Sequence, residues 1–110
     1  MLPKKDIVLI KHLIANKRTD ELKEILVKLH PADIAHILTD IKNGNQKLFF
    51  KLMNTTKSAE VLEEFEPLDR LKFMSEMSEA ETIKILKNMS VDEIIDLFQE
   101  MPSAQAESLL

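Results

Sequence analysis

The chain has 110 residues, 45% apolar and 31% charged, with a net charge of −4. That size and balance describe one soluble globular domain rather than a disordered segment, and the acidic sign argues against a nucleic-acid-binding surface. The lack of cysteine excludes a disulfide framework and thiolate chemistry, and no apolar run approaches the roughly 18 residues of a membrane span.

Read from the N-terminus, Pro3, Lys4 and Lys5 precede the short apolar run Ile7–Ile10. The spacing predicts a first helix over roughly 5–16 and a second over roughly 20–29. From Ile25 onward the chain repeats itself every twelve residues. Ile25-Leu26 with Leu29 is followed by Ile37-Leu38 with Ile41, Phe49-Phe50 with Met53, and Val61-Leu62 with Phe65. Then come Phe73-Met74 with Met77, Ile85-Leu86 with Met89, Leu97-Phe98 with Met101, and the closing pair Leu109-Leu110. All 23 of these positions are apolar in a chain that is 45% apolar overall, so the period is not accidental.

The i, i+1, i+4 spacing inside each unit makes one apolar helix face. Twelve residues at about 100° each would rotate that face by about 120° per unit along a continuous helix. The faces meet one core only if the chain breaks between units. Break signals stand at the junctions: Ser78 with Glu81 and Ser90 with Glu93 as capping boxes, and Pro31, Pro67 and Pro102 as first-turn residues. Asn43-Gly44-Asn45 and Asn54-Thr55-Thr56 mark two more. The expected architecture is all-α: a right- or left-handed superhelix, or solenoid, of about nine short helices. It forms a single domain over 1–110, with a helix pair at 1–29 and twelve-residue repeats over 30–110.

Few residues invite chemistry. Met53, Met77, Met89 and Met101 fill one slot of the repeat and read as core rather than a soft-metal site. His12, His30 and His36 lack i, i+4 spacing, and His30 before Pro31 reads as a residue that opens a helix. Ser75, Ser78 and Ser90 fall at helix boundaries, where capping accounts for them. No nucleophile motif, phosphate loop or zinc motif is present, so an enzyme is not expected. Asp92 and Asp96 are one helical turn apart, on one face. They read either as a solvated face near a helix N-terminus or as oxygen ligands for a hard cation such as Mg²⁺.

Leu29-His30-Pro31-Ala32-Asp33-Ile34-Ala35 resembles the signature that opens the repeats of the cytoplasmic N-terminal domain of MgtE-type magnesium transporters. The similarity continues through Ser58-Ala59-Glu60-Val61-Leu62 and Ser90-Val91-Asp92-Glu93-Ile94-Ile95-Asp96-Leu97 and covers essentially the whole chain. The resemblance implies a regulatory module on the cytoplasmic side of the cell membrane, a soluble piece of a longer, homodimeric transporter. Its implied partners are a CBS-domain pair and a membrane pore of the same longer chain. Glu60, Asp92 and Asp96 match the family's acidic ligands, implying weak, regulatory Mg²⁺ binding shared with the CBS pair. One departure is the repeat over Asn43 to Asn54, where Gly44 and Gln46-Lys47 replace the family's more usual proline-led acidic turn. The competing reading is a protein–protein scaffold like the middle region of flagellar motor switch proteins, with no cation role.

Overall fold

The computed structural model describes residues 2–41, 45–103 and 107. Among these, every regular element is a helix. In chain order they are α1 (Lys4–Ala15), α2 (Thr19–Lys28), α3 (Pro31–Asp40), α4 (Asn45–Leu52), α5 (Thr55–Leu62), α6 (Pro67–Met74), α7 (Glu79–Leu86) and α8 (Val91–Glu100). The first two begin and end one residue earlier than the spacing predicts. The Asn43-Gly44 junction, the pair Leu109-Leu110 and most of the stretch for a ninth helix lie outside the described residues. None of the described helices is long and apolar enough to cross a membrane.

The helix starts follow the sequence signals. Pro31 and Pro67 are the first residues of α3 and α6, where a missing N–H costs nothing. Ser78 Oγ accepts from the Glu81 amide at 3.1 Å, and Ser90 Oγ accepts from the Glu93 amide at 3.2 Å. His30 caps α3 in the same way, its Nδ1 accepting from the Ala32 amide at 3.1 Å. The end of α1 carries a signal that composition hides. Lys17 sits at φ 55°, its amide bonds Ile14 O, and the Arg18 amide bonds Leu13 O at 2.9 Å. That is a Schellman ending with lysine where glycine is usual.

The chain divides into two compact units, Met1–Asn54 and Thr55–Leu110. In the first, α1 packs on α2 and α2 on α4; in the second, α5 packs on α7 and α6 on α8. The repeat positions supply the cores. In the first unit Leu26, Ile37, Leu38, Ile41, Phe49 and Met53 are buried, and in the second Val61, Leu62, Phe73, Met74, Ile85, Leu86, Met89, Leu97 and Met101. The remaining described members of the repeat, Ile25, Leu29, Phe50, Phe65, Met77 and Phe98, are half-buried, and none is exposed. Each fully buried Leu, Ile or Phe contributes about 1.5–3 kcal/mol, which helices of this length need in order to persist.

A further slot of the repeat emerges only in three dimensions. It lies three residues before each apolar pair and runs Ile10, Leu22, Ile34, Gln46, Ser58, Arg70, Thr82 and Ile94. All are buried except the half-buried Ile94, so the twelve-residue register already starts in α1. Gln46, Ser58, Arg70 and Thr82 are also the buried polar residues among those described.

Candidate functional site

Glu60, Asp92 and Asp96 all belong to the second unit and are exposed. Glu60 stands near the end of α5. Asp92 is the second residue of α8, where the unpaired N–H groups and the helix dipole favour a negative charge. Asp96 follows one turn later on the same face. From Asn88 to Leu110 the sequence holds acidic residues and no lysine or arginine, so no nearby basic side chain in that stretch offsets them.

Arg70, from α6, links the helices that carry these carboxylates. The residue is only 6% exposed. Nε donates to Leu62 O at 2.9 Å and to Phe65 O at 2.8 Å, and Nη2 donates to Glu63 O at 3.3 Å. Leu62 O is the last carbonyl of α5 and also accepts from the Phe65 amide, while Glu63 and Phe65 lie just past the helix, so the guanidinium holds the end of α5 and the turn that follows it. Nη1 forms an ion pair with Glu93 Oε2 in the first turn of α8, with both atoms sealed from solvent. Glu93 therefore gives its carboxylate to Arg70 rather than simply completing the capping box that its spacing from Ser90 suggests.

Glu63, just past the end of α5 and one turn on from Glu60, reports the local field. Its carboxyl is held above its ordinary value of 4.5, first by lost solvation and then by the negative charge of Glu93. Arg70 pulls it back down, while Glu60 and Glu64 push it further up. Glu63 therefore lies within electrostatic reach of charges on α5, α6 and α8. Among the described residues, no three His, Cys, Asp or Glu side chains converge on a point that could hold a metal ion.

The other residues singled out by the sequence fall elsewhere. Met53, Met89 and Met101 are buried and Met77 half-buried, all in the core slot of the repeat. His12 and His36 are exposed, and His12 Nδ1 lies 3.2 Å from Asn16 Nδ2 at the end of α1. A cleft of about 370 Å³ in the first unit is lined by Lys11, Ile14, Ala15, Asp40, Ile41 and Asn45. It is mostly apolar and brings no nucleophile up to a base. The residues that sequence reasoning missed are Arg70 and Glu63. The available signal was the register itself, since Arg70 shares its slot with Ile34 and Ile94.

The comparisons with known proteins bear on the fold and the family. The chain of a crystal structure described as the soluble part of a magnesium transporter superposes with a TM-score of 0.84 at 17% identity. The likeness covers 97% of this chain and 44% of that one, so this chain spans less than half of its structural relative. At that identity the shared property is the fold. No curated protein matches the sequence. A family model described as the MgtE intracellular N domain matches residues 29–110, from the residue before His30 through every repeat that builds the second unit. On that match, the chain belongs to the MgtE intracellular N domain family.

Proposed function

We propose that this chain is a non-catalytic, cytoplasmic regulatory module of a magnesium transporter. It senses Mg²⁺ through Glu60, Asp92 and Asp96, on a surface shared with a CBS-domain pair of the same longer chain, and so gates the pore. The whole transporter works as a homodimer in this reading. The observation that carries the proposal is that Glu60, Asp92 and Asp96 are all exposed carboxylates of the second unit, in a chain of the MgtE intracellular N domain family. Glu63 is held toward its neutral form by lost solvation and by the charges of Glu93 and Glu60, despite the buried Arg70.

The donor set suits the ion. Mg²⁺ prefers oxygen ligands, keeps several waters and needs only one or two carboxylates from each surface. Glu60, Asp92 and Asp96 are exposed carboxylates, free to face a second acidic surface across a hydrated cation. The chemistry supplied is charge neutralisation: with the cation bound, two acidic surfaces stay together, and without it they repel. The ion shifts that equilibrium only by its preference for the closed arrangement. This chain contributes part of the shell, so alone it binds weakly, on the order of millimolar.

An NMR titration of the chain with Mg²⁺ tests this, with Glu60, Asp92 and Asp96 each replaced by Ala. Weak shifts centred on those three residues, and lost in the variants, are the expected result. Shifts spread evenly over all acidic residues would mean a merely solvated face and would leave a scaffold without a cation role.

A further inference from the structure

Arg70 is the only charged side chain buried among the described residues. A guanidinium withdrawn from water is tolerated when its donors are matched by acceptors in a fixed geometry. Here the matching divides between two helices. Nε and Nη2 hold three carbonyls, Leu62, Glu63 and Phe65, at and just beyond the end of the helix that carries Glu60. Nη1 holds Glu93, the immediate neighbour of Asp92. The electrostatics alternate along this path: the negative end of α5, the cation, the Glu93 carboxylate, and the positive end of α8.

The packing gives the tie its importance. α5 packs on α7, and α8 packs on α6, so Glu60 and Asp92 stand on helices with different principal neighbours. Arg70, itself on α6, grips the end of α5 and the start of α8 with one planar group. Its fork of donors fixes both a distance and an orientation, which a single ammonium does not.

We propose that Arg70 is a positioning residue for the acidic face, holding the Glu60 end of α5 against the first turn of α8 so that Glu60 and Asp92 answer a divalent cation as one site. This rests on the cation-sensing reading above. The informative variant is Arg70→Lys, which keeps the positive charge and the field on the face but loses the fork. Two readouts apply to the whole chain: amide hydrogen exchange without Mg²⁺, and a Mg²⁺ titration followed at the Glu60 and Asp92 amides.

In the wild-type chain the two amides are expected to shift with one midpoint. In Arg70→Lys, exchange at Glu93 and Ile94, which bond the Ser90 cap, speeds up about tenfold relative to α7, and the Glu60 and Asp92 midpoints separate. A folded Arg70→Lys chain with unchanged exchange and a common midpoint overturns the proposal. If that variant does not fold, Glu93→Gln takes its place, since it leaves the three carbonyl contacts of Arg70 intact. Faster exchange and separate midpoints in Glu93→Gln support the proposal, and unchanged exchange with a common midpoint overturns it. A wild-type chain with no Mg²⁺ response overturns the sensing reading and this one together. A wild-type response that Arg70→Lys leaves untouched overturns this one alone.

Discussion

Leu38 of α3 and Leu62 of α5 occupy the same place in the repeat, 24 residues apart, and their carbonyls are met by different chemistry. At α3, Gln46 Nε2 donates one neutral hydrogen bond to Leu38 O at 2.7 Å. At α5, Arg70 donates to Leu62 O and to two further carbonyls and also carries a charge that Glu93 answers. The surrounding positions diverge in step. Where the α5 region has Glu60 and Glu63, the α3 region has His36 and Thr39, and the Thr39 hydroxyl bonds His36 O. At these two positions the slot performs one structural task, supplying a buried donor to a carbonyl of the preceding helix. In the second unit Arg70 also brings a buried positive charge that pairs with Glu93.

The comparison breaks most visibly at Arg70. Arg70→Met strands Glu93 and removes the cap from α5, and it is expected to cost about 3–5 kcal/mol in a urea denaturation series. That is a large part of the stability of a domain this size. Gln46→Leu removes a single neutral bond and is expected to cost about 1–2 kcal/mol in the same series. Equal costs for the two variants would mean that the charge at Arg70 adds nothing to the cap.

The smallest effect sharpens the electrostatic half of the comparison. In the folded chain Glu63 keeps its proton to a higher pH than in the unfolded chain, where its value is near 4.5. Through that window the folded state binds more protons, so stability from this group falls as pH rises. Glu63→Gln should therefore stabilise the chain at neutral pH by at most about 0.5 kcal/mol, because the side chain is exposed. The gain should vanish below the ordinary carboxylate value. Glu93, Glu60, Glu64 and Arg70 are the charges that set it. Thermal melts at several pH values read it, and a gain that persists in acid would contradict the assignment.

Much of this was legible in the residues. The apolar pairs located the cores because burial follows helical spacing. Pro31, Pro67, Ser78 and Ser90 located helix starts because orphan N–H groups select such residues. The local stretch Leu68-Asp69-Arg70-Leu71-Lys72 reads as an ordinary polar turn of helix, and only the register shared with Ile34 and Ile94 points Arg70 inward. Its burial depends on carbonyls that become acceptors only once α5 has ended nearby. The Schellman ending at Lys17 was hidden for a similar reason, since lysine takes the left-handed conformation only where backbone bonds hold it there. For the acidic residues, spacing paired Asp92 with Asp96 on one helix, while the contact between the end of α5 and α8 runs through Arg70 of α6, which spacing does not reveal.

The alternating packing of the second unit also shapes how it comes apart. Its helices have eight to ten residues, too few to survive without neighbours. Because α5 leans on α7 and α6 on α8, a helix that opens releases one that is not next to it in the chain. A protease that catches α7 thus also weakens α5, which Arg70 of α6 still holds at its end. Fraying in such a fold does not creep inward from an end. It skips, and the first cut commits residues on both sides of it.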